Sequence, residues 1–155
     1  MNLMLGDCLE RMKEIPDGSV DMILADPPYG TTACKWDSVI PLDKMWKQLK
    51  RIIKPNGAIV MTASQPFTSI LVTSNLKMFK YDWVWNKSRP TGVLNAKKQP
   101  LRNKEDIVVF YNKQPTYIPQ GIVKVNKMVG TGATKANQRF KNASKTIKKK
   151  QKISI

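Results

Sequence analysis

The chain has 155 residues, 41% of them apolar, which suits one domain with a real hydrophobic core. With no histidine and only two cysteines it has no Ser-His or Cys-His nucleophile pair, no disulfide scaffold and no paired spacing for a zinc site, so a reducing cytoplasm and a metal-free protein are expected. The net charge of +16 is uneven: residues 1–121 carry 17 Lys and Arg against all 11 acids, leaving +6, and residues 122–155 carry the other ten and no acid. Such a balance suits a polyanionic partner or a solvated basic tail, and the sequence contains neither a secretory leader nor an apolar run of membrane length.

In chain order, Asn2 to Leu5 is a short strand candidate, and Gly6-Asp7-Cys8 leads into Leu9 to Ile15, which has helical spacing and stops at Pro16-Asp17-Gly18. Residues 20–25 are an uninterrupted apolar-rich run read as a buried strand. Strand, helix, strand is the order of a βαβ unit in a parallel sheet, with a right-handed crossover. The strand ends at Asp26-Pro27-Pro28-Tyr29-Gly30, where two prolines stiffen the backbone and remove two donors, and the glycine permits a sharp exit. Loops at the carboxyl ends of strands in open α/β sheets are where ligands bind, so Asp26 and Tyr29 form a site candidate; the alternative is a proline turn with Tyr29 packed on the core.

Apolar residues at Leu42, Met45, Trp46, Leu49, Ile52 and Ile53 predict a helix over residues 41–54, ended by Pro55-Asn56-Gly57. A strand follows at 58–62, a helix at 66–76, and strands at 81–85 and 106–111, with a basic Gly- and Pro-containing loop over 87–104. From about Gly121 the apolar periodicity is lost, which divides the chain into a folded region, 1–121, and a basic tail, 122–155, expected to be extended or disordered.

DPPYG after an apolar strand resembles the catalytic loop of the S-adenosylmethionine-dependent DNA amino-methyltransferases, which act on adenine N6 or cytosine N4. The resemblance extends over about residues 2–121, through GDCLERM, RIIKPNGAIVMTASQPF, YDWVWNK, LNAKKQPLR and EDIVVFY. Its order is that of the permuted subgroup in which the catalytic half precedes the half that anchors the cofactor. The resemblance implies a three-layer, Rossmann-like α/β fold with a mainly parallel sheet, here incomplete.

It also implies roles for residues. An exocyclic amine is a poor nucleophile because its lone pair is delocalised into the ring. Asp26 and the Pro27 carbonyl, fixed by Pro28, would accept its two N-H bonds, and Tyr29 would stack on a base flipped out of duplex DNA. S-adenosyl-L-methionine would be held by Asp7, the Cys8 amide and Asp26; the other reading of Asp7 is a helix N-cap. Trp85, Lys87, Asn95, Lys97 and Lys98 would contact DNA; the other reading is a basic surface loop with Trp83 and Trp85 on alternate faces of the sheet. Ser64 to Phe67 would line the same cleft or cap a helix.

The family's main cofactor anchor, an aromatic-and-glycine loop followed by an acid, has no match in this sequence. Gly130-Thr131-Gly132-Ala133-Thr134 is the only glycine cluster downstream and no acid follows Asp106. The chain therefore resembles a catalytic half, from a bacterium or a phage. Its expected activity is adenine-N6 methylation, with cytosine-N4 methylation or an inactive remnant that only binds DNA as alternatives. The most economical expectation for such a half is a truncated or frame-shifted gene product with weak or no activity; the second is a subunit completed by another chain or, in a homodimer, by its own dimer mate.

Overall fold

The computed structural model describes residues 2–122. Residues Met1–Tyr117 form one compact unit and Ile118–Ile155 a second, of which 118–122 are described and contain no helix or strand. The remainder of the basic tail expected over 122–155, with its glycine cluster, lies outside the described residues.

The elements are α1 (Cys8–Arg11) with a 3-10 turn at Met12–Glu14, β1 (Val20–Ala25), α2 (Leu42–Ile52), β2 (Ile53–Ala63), α3 (Phe67–Ser74), β3 (Phe79–Thr91), a 3-10 turn at Val93–Asn95, and β4 (Arg102–Phe110). One four-stranded sheet runs in the order β1-β2-β4-β3. β1 pairs in parallel with β2, and β4 pairs antiparallel with both β2 and β3. Three strands thus share a direction and β4 alone is reversed. Because β4 sits between two of the others, the sheet is mixed, where the sequence suggested a mainly parallel one.

Alternation along the strands separates two faces. Ile59, Met61 and Ala63 of β2 and Val108 and Phe110 of β4 point to one side, where Met45, Trp46, Leu49 and Ile52 of α2 and Phe67 and Leu71 of α3 join them in a single core. Leu9, Met12 and Ile15 pack against the same cluster. Among the described residues this is the one helical layer, so the expected three-layer arrangement is only partly present. The reason lies in the topology. The β1-α2-β2 and β2-α3-β3 connections step across the sheet in the same direction, and crossovers of one hand that do so lay their helices on one face. On the other face Met22, Leu24, Trp83 and Trp85 are exposed.

Asn2 to Leu5 forms no strand, contrary to the sequence expectation. Leu3 and Leu5 are exposed, and a lone extended segment without a neighbour is not a stable unit. The βαβ unit is instead supplied by β1, α2 and β2. β2 also begins earlier than expected. Val20 pairs with Ile53 and Met22 with Ala58, so Pro55-Asn56-Gly57 is a bulge inside the strand and not a break before it. At Gly57 a Cβ would lie 2.8 Å from the Asp21 carbonyl and 2.7 Å from the Ile53 side chain. Glycine is what lets the backbones approach there.

Residues 87–104, expected as a loop, are only partly so: 87–91 and 102–104 extend the arms of a β3–β4 hairpin, and 92–101 connect them. Cross-strand contacts override the weak strand propensity of these polar residues. Lys87 forms an ion pair with Glu105, and Asn103 Nδ2 donates to Asn86 Oδ1 at 3.2 Å. Trp83 and Trp85 pair with Ile107 and Glu105. Being two residues apart they share one face, which corrects the alternate-face placement.

α3 is fastened to the sheet by one buried polar pair: Thr68 Oγ1 donates to Asp106 Oδ2 at 2.7 Å. Thr68→Val keeps the shape and deletes the donor. Leaving a buried acceptor unpaired costs about 1–3 kcal/mol, so a lowered unfolding midpoint in a thermal melt, with unchanged far-ultraviolet circular dichroism, is the expected result.

Candidate active site

The strand that delivers Asp26 is held rigidly. β1 is hydrogen-bonded along β2 through the pairs Met22–Ala58 to Ala25–Met61, and the two prolines prevent the chain from continuing as sheet. Pro27 is buried and Pro28 half-buried, so the turn is packed as well as stiff. Asp26 itself is exposed at the strand end.

Tyr29 is half-buried. One face of its ring lies on Phe67, with centroids 5.4 Å apart and planes 20° from parallel. Phe67 is part of the core and the first residue of α3, so α3 acts as the backstop of the tyrosine. The Tyr29 hydroxyl donates to Asp26 Oδ1 at 2.9 Å, and the Thr62 hydroxyl donates to the same oxygen. Burial pushes the Tyr29 hydroxyl well above its ordinary value, so the phenol stays protonated and remains a donor near neutral pH. Both donors converge on Oδ1, which leaves Oδ2 of Asp26 as the acceptor open to a ligand.

The loop that follows is pinned by a residue that the motif reading passed over. Asp37 is 8% exposed, and its carboxylate accepts from three successive amides. Gly30 N donates to Oδ1 at 2.8 Å, and Thr31 N and Thr32 N donate to Oδ2 at 2.9 and 2.7 Å. Gly30 has φ +67°, and a Cβ there would lie 2.9 Å from Val39 Cγ2, so both backbone and space call for glycine. The Thr32 side chain, followed by the Gly30, Thr32 and Thr31 amides, lowers the Asp37 carboxyl from 3.8 to about 2 against the opposing effect of burial. A depressed folded value means that the stabilisation is present above about pH 4 and is lost as the pH falls toward 2. Thermal melts of wild type and Asp37→Asn are expected to differ at pH 5 to 7 and to converge near pH 2. A gap that stays constant across that range would contradict the clamp.

Asp26, Pro27, Pro28 and Tyr29 line a cleft of about 290 Å³ together with Thr31, Thr32, Trp36 and Asp37. A carboxylate, the stiff Pro27-Pro28 backbone and an aromatic ring thus line one opening. This arrangement can orient a flat ring that bears an amino group, by stacking on one side and accepting at its edge.

The other sequence candidates are placed elsewhere. Asp7 is the N-cap of α1, its Oδ1 accepting from Leu9 N at 2.8 Å, and Cys8 is an exposed free thiol. Arg51 of α2 fastens this corner through the Met12 and Ile15 carbonyls, at 2.6 and 2.8 Å, and through Asp17. Asp7 lines a separate cleft of about 530 Å³ with Lys13, Lys44 and Lys47, and Asp26 is not part of its lining. Capping uses one oxygen of Asp7 and leaves the other open. Ser64 and Gln65 are not among the cleft-lining residues, and the N-cap of α3 is Pro66 with no side-chain bond.

Trp85 is half-exposed on β3 beside the hairpin, while Asn95, Lys97 and Lys98 are exposed in the turn between its arms. Lys87 has its ammonium committed to Glu105. No helix among the described residues is long and apolar enough to cross a membrane.

Asp37, Thr62 and Trp36 were missed from sequence. Asp37 carried a readable signal: an acid a few residues after a glycine turn is a ready acceptor for exposed amides. Trp36 had one too, since a large apolar side chain in a stretch without periodicity has no core face to serve. Thr62 had none, because its contact with Asp26 depends on strand register.

Type II methyltransferase M.HinfI of Haemophilus influenzae is 31% identical over a stretch covering 57% of this chain and 32% of that protein. Among solved structures, the cytosine-N4-specific PvuII DNA methyltransferase superposes with a TM-score of 0.58 at 14% identity, covering 89% of this chain and 61% of its own. The M1.HpyAVI–SAM complex superposes with a TM-score of 0.54 at 18% identity, covering 77% and 62%. These likenesses establish a Rossmann-like methyltransferase fold, and the chain spans about a third of that curated relative's length. The sequence profile of the DNA methylase family matches residues 20–154, and the chain belongs to that family of N6/N4 DNA methyltransferases.

Proposed function

We propose that this chain is the catalytic half of an S-adenosylmethionine-dependent DNA methyltransferase that modifies the N6 amine of adenine in duplex DNA. The observation that carries the proposal is the cleft that Asp26, Pro27 and Tyr29 line together. Tyr29, backed by Phe67, receives the flipped base. Asp26 Oδ2 and the Pro27 carbonyl accept the two amine N-H bonds, which takes the lone pair out of conjugation with the ring and aims it away from the acceptors. Thr62 and the Tyr29 hydroxyl hold Asp26 in direction, and Asp37 holds the loop, so reorganisation during the reaction is small.

The donor set at the Asp7 corner fits one end of the cofactor, since an open carboxylate oxygen and the Cys8 amide suit an adenine amino group and ring nitrogen. S-adenosylmethionine bound there would supply an electrophilic sulfonium methyl group. Because Asp7 and Asp26 line different clefts, a second polypeptide or a second copy of this chain is proposed to complete the cofactor site. Exposed Trp85, Asn95, Lys97 and Lys98 are proposed to contact the DNA backbone and the displaced strand. Adenine is preferred to cytosine because DPPY is the commoner tetrapeptide among the adenine-N6 enzymes.

Calorimetric titration with S-adenosylmethionine, followed by transfer of a tritiated methyl group to mixed-sequence duplex DNA and nucleoside analysis, tests the proposal. Donor heat and labelled N6-methyladenine are expected. Labelled N4-methylcytosine would move the target to the other amine. Binding to DNA without donor heat or transfer, alone and with added cell extract, would overturn the enzymatic reading.

A further inference from the structure

The cleft beside Asp26 contains one aromatic ring with an assigned role and another without. Tyr29 has one face on Phe67, so it can offer a ligand only the other. A base stacked there would leave its own second face toward water. Trp36 lines the same cleft and is 73% exposed.

That exposure has no packing explanation, because the indole is absent from the core cluster. Its loop is nevertheless tied down on both sides. The amides of Gly30 to Thr32 are bound to the Asp37 carboxylate, and Asp37 N donates to the Cys34 carbonyl at 3.0 Å. A large apolar ring displayed on a pinned loop, at the rim of a cleft that already has one aromatic wall, is how proteins hold unstacked bases. The cleft, about 290 Å³, is near the lower end of the range for small-molecule sites and has room for a single base.

We propose that Trp36 is the second wall of the base site and stacks on the face of the captured base that Tyr29 leaves open. The proposal rests on the reading of this cleft as a nucleobase site, and its test separates the two. The probe is a single-stranded oligonucleotide with one 2-aminopurine among abasic positions, compared with the same strand lacking the base. The proteins are the full chain and its Trp36→Ala, Trp36→Phe and Tyr29→Ala variants, each verified by circular dichroism and thermal melting.

Trp36→Ala is expected to weaken binding of the base-bearing strand roughly 5- to 150-fold, the range for one lost stacking partner. Its affinity for the base-free strand should not change, and Trp36→Phe should recover most of the loss. If Trp36→Ala prefers the base as wild type does while Tyr29→Ala does not, the Trp36 assignment is overturned and the function reading stands. Equal weakening toward both strands would also overturn it, since that marks a backbone or folding effect. If wild type shows no preference for the base-bearing strand, the nucleobase reading falls and the assignment with it.

Discussion

Asp26→Ala is expected to reduce methyl transfer to duplex DNA by at least about a hundredfold, the loss typical when one preorganised polar contact to the reacting group is removed. The expectation follows from what the carboxylate does and from what would remain. Pro27 still offers its carbonyl, but one acceptor cannot orient two N-H bonds, so the amine keeps its conjugation with the ring. Tyr29 and Thr62 also lose the oxygen on which both hydroxyls converge, leaving the base platform without its lateral brace. Asp26→Asn, which retains one acceptor oxygen, should lie between alanine and wild type. DNA affinity at low salt should change little, because phosphate contacts dominate it. Full transfer activity in Asp26→Ala would remove Asp26 from the reaction.

The largest expected loss of stability is at Phe110→Ala, about 3–5 kcal/mol for deleting a fully buried phenylalanine side chain. Phe110 is 0% exposed at the end of the central strand. Its ring meets Trp46 of α2 edge-on at 4.8 Å and Phe79 of β3 at 5.9 Å, so three elements lose a common contact at once. Domains have only about 5–15 kcal/mol to lose, so a large fall in the urea midpoint is expected, with partial unfolding at physiological temperature. A midpoint shift equal to that of Thr68→Val would show that the cavity collapses and that the core is looser than its packing implies.

The sequence was most informative where a local pattern and its tertiary role coincide. The apolar run at 20–25 is β1 to the residue, but it is not the buried strand expected: β1 lies at the sheet edge with Met22 and Leu24 exposed. The stripe that begins at Leu42 is α2, because there the periodicity directly reports the buried face. The DPPY loop was legible because proline stiffness and a strand end are local properties. What escaped depended on partners distant in sequence. Residues 87–91 and 102–104 are too polar to declare themselves as strand, and they extend the hairpin only because each arm offers the other an edge and a counter-charge. Asn2 to Leu5 has strand-like residues but no neighbour to pair with. The mixed sheet followed from β4 entering between β2 and β3, an insertion that no single-segment propensity encodes. In the site, the acid and the tyrosine could be named in advance, whereas Thr62 and Phe67 became visible as their supports only through register and helix packing.

The insertion of β4 has a consequence for synthesis on the ribosome. The strand between β2 and β3 is the last of the four to emerge, and residues 102–110 supply both neighbours with their shared partner. Until it is translated, one edge of β2 stays open and β3 has no partner at all, so a nascent chain ending before Arg102 presents these bare edges to chaperones and to other nascent chains. Folding of this unit is therefore a late, all-at-once event, and messages cut short upstream of that strand should yield aggregating product in place of a smaller folded domain.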